Sequence, residues 1–192
     1  MNTNRQIHKL ILTIAFIFSV SAVPASAIEN KLAGVTLGTL VKDLHKKYPG
    51  IYKNPLYGGV VLYEACNQKE LEVFSFTEEP WSTGYITNIW VRKAEVSICR
   101  DSTGGLPDYA IPPITEKGVR LGDKEEKVIE TYGIPSKTKI LRNGNRLITY
   151  KTLENDQAVQ VENLALHFEI ESGSVISFHL FGDMSWAKKP SR

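Results

Sequence analysis

The chain has 192 residues, 42% of them hydrophobic, with 23 Lys and Arg, 21 Asp and Glu, and two cysteines. Two of the basic residues, Arg5 and Lys9, lie in the first 27 positions, so the remainder balances 21 basic against 21 acidic side chains. That neutrality leaves no basic stripe to track phosphates, which argues against nucleic acid as a partner. No apolar run after residue 27 approaches the ~18 residues expected of a membrane helix.

Residues 1–27 read as a cleavable secretory signal peptide. A polar start with Arg5 and Lys9 precedes an apolar run from Leu10 to Val20, and Ala25-Ser26-Ala27 supplies small residues for a peptidase. The apolar run is too short to span a bilayer as a helix, which takes ~20 residues. The working protein is expected to begin near Ile28, to keep no stable membrane anchor, and to be periplasmic or secreted. Export makes a disulfide between Cys66 and Cys99 the expected state of the two cysteines. Closing the loop between them would contribute ~3 kcal/mol in the chain-entropy model.

Gly34-Val35-Thr36-Leu37-Gly38 opens the first structured segment. Leu37, Leu40, Val41, Leu44 and Tyr48 then fall on one stripe of a 3.6-residue helix that Pro49-Gly50 ends. Strands are expected near 59–64, 70–77 and 84–98. Residues 100–117, with Gly104-Gly105 and Pro112-Pro113, read as a linker. Gly118-Val119-Arg120-Leu121-Gly122 then repeats the opening pattern, and Leu121, Val128, Ile129 and Tyr132 mark a second short helix. Asp123 is the expected N-cap of that helix, with Glu126 completing a capping box; Gly133 and Pro135 stop it. Strands follow near 137–141, 146–151, 163–170 and 175–181, with hairpin turns at Asn143-Gly144 and Ser172-Gly173.

The expected fold class is therefore α+β, in two tandem modules, each a short helix packed on an antiparallel sheet of three to four strands. The first would occupy 28–99 and the second 118–192. The Gly34–Pro49 and Gly118–Pro135 stretches and the strands after them resemble the helix-plus-sheet module of the SmpA/OmlA (BamE-type) envelope proteins. The tandem arrangement is similar to that of the β-lactamase inhibitor protein. The resemblance implies an envelope-assembly or inhibitor-like role and assigns no binding residue.

No nucleophile elbow, phosphate-binding loop, His-Glu-x-x-His or dinucleotide fingerprint occurs. His167 and His179 alternate against Phe168 and Phe178, so a hairpin at Ser172-Gly173 would bring the two imidazoles together on one face, with Glu169 beside them. A His/His/carboxylate metal site is conceivable there, but solvated polar residues on an open sheet face are the preferred reading. Aligning Tyr85–Val91 on Val175–Phe181 assigns Ile86 and Trp90 to the helix-packed core. It leaves Tyr85, Ile89 and Val91 on the opposite face, joined by Phe74 and Phe76 when Leu71 and Val73 face the helix. A face so apolar is expected to be covered, by the other repeat or by a partner. The function expected is a non-catalytic exported module that binds another protein through Phe74, Phe76, Tyr85, Ile89 and Val91, with no cofactor or metal. The alternative is a small-molecule or metal-binding envelope protein that uses the His167/His179 face.

Overall fold

A computed structural model describes residues 28–95, 98–99, 108–109, 115–151 and 162–183; the expected signal peptide lies outside them. The first element among the described residues is a two-strand ribbon, β1 (Lys31–Leu32) and β2 (Val35–Thr36). Its turn places Ala33 and Gly34 at φ of 50° and 71°, the left-handed pair that a tight hairpin demands. Helix α1 (Val41–Lys47) follows, then β3 (Tyr52–Pro55), β4 (Val61–Asn67), β5 (Glu72–Glu78) and β6 (Asn88–Lys93). After residue 115 come α2 (Glu125–Tyr132), β7 (Lys137–Ile140), β8 (Arg146–Lys151), β9 (Glu162–Glu171) and β10 (Ser174–Asp183).

The strands form one antiparallel sheet in the order β3-β4-β5-β6-β10-β9-β8-β7. The expectation of two tandem modules, each with its own sheet, is overturned by the ladder between β6 and β10. It runs from Arg92 opposite Ser177 to Asn88 opposite Phe181. An unpaired long strand is a liability at a sheet edge, and here the two strands that would have been inner edges satisfy each other. The outermost strands, β3 and β7, are only four residues long.

Cross-strand rows fix the two faces. Tyr63, Phe76, Ile89, Leu180, Leu166 and Tyr150 lie opposite one another across six strands, as do Ala65, Phe74, Val91, Phe178, Phe168 and Ile148. Both helices pack on this face. Tyr48, at the end of α1, stacks on Phe76 at 5.6 Å, and Tyr132, at the end of α2, lies 5.3 Å from Phe168. Leu44 and Val128 are buried between helix and sheet, and a single apolar cluster runs through both halves.

The helix starts are satisfied from the sheet rather than by side chains. Neither helix has a side-chain cap; Val41 N–H donates to the Gly84 carbonyl at 2.8 Å and Glu125 N–H to the Gly173 carbonyl at 3.1 Å. Hairpin turns of the sheet thus take up donors that a short helix leaves orphaned. Asp123, expected as N-cap, instead accepts from Arg120 N–H and Lys127 Nζ, both at 2.7 Å. Of the expected linker, Asp108, Tyr109 and residues 115–117 are described, and they are anchored: Asp108 bridges Cys66 and Thr115 bridges Leu32. Buried Glu29 ties the N-terminal segment to α2, accepting from Tyr132 Oη and Glu116 N–H. Burial pushes its carboxyl up to about 7.

Cys66 and Cys99 form a disulfide with Cα atoms 5.7 Å apart, within the range that native bridges adopt. Unreduced protein should therefore show no free thiol, and Cys99→Ser should cost ~2–5 kcal/mol in chemical unfolding; two titratable thiols would contradict the pairing. A second prediction concerns neighbours on β6. Ile89→Asp would bury an unpaired carboxylate at a cost of several kcal/mol, comparable with a domain's whole stability of ~5–15 kcal/mol, and is expected to unfold the protein. Trp90→Asp, one residue along on the other face, should retain a cooperative melt. Circular dichroism melts of the two variants decide between these facings.

Candidate functional site

The residues expected to form a binding face do not form one. Phe74, Phe76, Ile89 and Val91 are fully buried beneath the helices, and Tyr85 is half-buried beside Leu40, with which it bridges. The physical reason is a change of parity before β6. Thr77 is the partner of Asn88, yet its carbonyl also accepts from Thr87 N–H at 2.9 Å and Thr87 Oγ1 at 3.1 Å. Two residues thus oppose one, as in a bulge. Ile86 and Ile89 can then both point into the core, and Trp90 is turned to the far side. Alternation carried without interruption from Tyr85 to Val91 assigns the faces the wrong way round.

The candidate site is accordingly the face opposite α1 and α2, helix-free among the described residues apart from Ile98 and Cys99 at one end. Trp90 stands near its centre, on the fourth of eight strands, and is 43% exposed. The Arg92 guanidinium lies 5.4 Å from the centre of the Trp90 ring, a cation–π arrangement. Arg92 Nε is buried without a hydrogen-bond partner, and Arg92 has no ion pair among the described residues. His179 sits across the strand boundary from Trp90 at 6.3 Å between ring centres. It is directly opposite His167 at 6.2 Å, and both imidazoles contact Phe181, at 5.0 and 4.9 Å. The aromatic patch is therefore continuous across β6, β10 and β9.

Glu169 shares that face but is engaged elsewhere. It accepts from Asn145 Nδ2 at 2.7 Å, Asn143 Nδ2 at 3.3 Å and Ser177 Oγ at 3.4 Å. Among the described residues no three His, Cys, Asp or Glu side chains gather as metal ligands would. Burial lowers the His179 imidazole to about 4, with the charge of His167 adding to the effect, and burial lowers His167 as well. The pair is consequently uncharged at neutral pH, packing as rings.

Two further features bound the face. Toward one end, Cys66, Val73 and Cys99 form a small buried cluster with Leu71 and Ala94 packed on it. Toward the other, a cleft of about 420 Å³ opens between Trp81, Phe181, Glu79, Thr87, Asn88 and Asn163. Sequence reasoning missed Trp90, Trp81 and Phe181. A signal for Trp90 was present: within 88–92 the polar Asn88 and Arg92 alternate in phase with Trp90, against Ile89 and Val91. Nothing comparable marks Trp81, which belongs to the turn Pro80–Ser82.

No protein-family model matches the chain, and no curated protein matches it. Similar solved structures include a cysteine-rich secretory protein from Staphylococcus aureus subsp. aureus Mu50, at 12% identity and a TM-score of 0.43. Another is an extracellular protein containing an SCP domain from Bacillus anthracis str. Ames, at 14% identity and a TM-score of 0.44. Each comparison covers 79% of this chain and 46% of the other, so the chain spans about half the length of these structures. With TM-scores below 0.5, neither lends this chain an activity. The expected resemblance to SmpA/OmlA and β-lactamase-inhibitor modules is overturned by the single eight-stranded sheet, which is not a pair of modules. The Cys66–Cys99 disulfide is in keeping with the expected export. Among the described residues no helix is long and apolar enough to cross a membrane.

The depressed imidazole gives a pH prediction. His179 titrates near 4 when folded and near 6.5 when unfolded, so between those values the unfolded state binds more protons. Stability is then undiminished above pH 6.5 and falls as pH drops toward 4, by on the order of 2–3 kcal/mol. His179→Phe should flatten that part of a denaturation-versus-pH profile. NMR titration should place the His179 midpoint near 4, and a midpoint above 6 would contradict the burial of its ring.

Proposed function

We propose that this is a non-catalytic exported protein that binds another protein through the helix-free face of its sheet. The observation that carries the reading is Trp90: a large aromatic ring left exposed near the middle of the sheet, with Arg92 stacked on it. A solvated sheet face ordinarily presents polar side chains, and Trp and Arg are the residues that dominate binding energy at protein interfaces. The unpaired Arg92 fork specifies the partner's chemistry. It would seat a carboxylate, doubly hydrogen-bonded, beside an apolar group covering the indole. The neutral imidazoles extend the apolar rim without adding charge.

The absence of catalysis is part of the proposal. It is supported by the roles of the buried acids: Glu72 pairs with Lys93 at 3.1 Å, Glu125 with Arg146 at 2.9 Å, and Glu29 serves Tyr132. Each holds the fold together, away from the face that carries Trp90.

A photo-crosslinker placed at position 90 in the living cell should capture one discrete protein partner. Against that partner, purified Trp90→Ala and Arg92→Ala variants should each bind at least ~30-fold more weakly, the loss of ~2 kcal/mol typical of an anchor residue. Ile134→Ala, at a side chain 93% exposed elsewhere, should bind normally. Equal affinity for all three variants would refute the site.

A further inference from the structure

The cleft at the far end of the helix-free face is chemically unlike the centre. Its walls are Trp81, 54% exposed on the turn between β5 and β6, and Phe181 on β10. The Phe181 ring is held by the two imidazoles, with His167 meeting it edge-on at 81° and His179 tilted at 35°. Its polar groups are one carboxylate, Glu79, two amides, Asn88 and Asn163, and the Thr87 hydroxyl; among the described residues no basic side chain lines it. These groups are already organised: Asn88 Nδ2 donates to Thr87 Oγ1 at 3.0 Å and reaches Glu79 Oε1 at 3.4 Å. Burial raises the Glu79 carboxyl above its usual range.

We infer that this cleft is a binding site for a short neutral saccharide, a mono- or disaccharide or the end of a longer glycan. The described lining disfavours phosphates and carboxylates, because it offers them no cation and sets Glu79 against them. It fits a ligand with an apolar face and a rim of hydroxyls. The C–H face of a pyranose would lie on the Trp81 or Phe181 ring, while its hydroxyls donate to the Glu79 carboxylate and exchange hydrogen bonds with the amides, which both donate and accept. The cleft's size is at the lower end of the ~300–1,000 Å³ usual for small-molecule sites, which limits the ligand to one or two rings. The Phe181 ring, fixed by the imidazoles before binding, leaves little side-chain freedom to lose, which favours weak ligands of this kind. The site is separate from the Trp90–Arg92 centre and holds whether or not a protein docks there.

The test is titration of the full-length exported protein with maltose, cellobiose, N,N′-diacetylchitobiose and, as a cation probe, tetramethylammonium, followed by tryptophan fluorescence and by the indole N–H resonances. At least one sugar should bind with a dissociation constant below about 1 mM and shift the Trp81 indole signal. Trp81→Ala and Glu79→Gln should each weaken that binding at least tenfold while the melting temperature holds. Tyr57→Ala, at an exposed ring in a different loop, should leave it unchanged. Three results would overturn the inference: no response to any of the sugars at 10 mM, undiminished binding by Trp81→Ala, or a response only to tetramethylammonium. The last would make the cleft a cation site.

Discussion

The hydrogen-bonded ladder between β6 and β10 is the constraint on which the rest of the molecule depends. Five residue pairs from Arg92–Ser177 to Asn88–Phe181 join residues that lie 85 to 93 positions apart in the chain. Without that ladder the chain would present two four-stranded meanders, each with a long open edge. With it, Ile89 and Val91 meet Leu180 and Phe178, and the tyrosines that end α1 and α2 rest on one continuous apolar floor. The core is shared, so neither half has a complete interior alone. Closing so long a loop before the contacts form is entropically costly, which points to a comparatively slow, all-or-none folding step.

Much of the local structure is legible in the sequence, because it is written in short-range chemistry. The stripe from Leu37 to Tyr48 and the signals at Gly133 and Pro135 locate both helices. Asn143-Gly144 and Ser172-Gly173 locate hairpins, and the alternation around Phe168 and Phe178 sets His167 and His179 on one face, with the structure fixing the register that makes them partners. Long-range pairing is a different matter. Nothing in residues 88–93 names residues 177–181 as partners, so one sheet could not be told from two. The error at the binding face had a smaller cause: a single extra residue at Thr87 reversed the facing of every side chain that followed. The true face then went unrecognised, since its central tryptophan had been assigned to the interior.

The helix-free face shows a division of labour along its length. At one end the disulfide and Val73 seal the surface; in the middle Trp90 and Arg92 stay accessible; at the far end the rings part to leave a cleft. Because His167 and His179 sit between the last two regions and are kept neutral by burial, they act as spacers that position Phe181 and support Trp90. The side chains that sequence patterning reads as solvated polar residues on an open face pack here through their ring surfaces.

The sheet tapers from ten-residue strands at β9 and β10 to four-residue strands at its borders. Those borders carry Lys53 and Pro55 on one side and Lys137 and Lys139 on the other. Proline withholds an amide, and lysines resist the approach of a neighbouring strand. The molecule is thus a poor template for its own copies: strand exchange and fibrillar stacking both need an edge that accepts another backbone, and both edges refuse one. The same features disfavour recognition by strand addition and leave the side chains of its broad surfaces as the accessible handles.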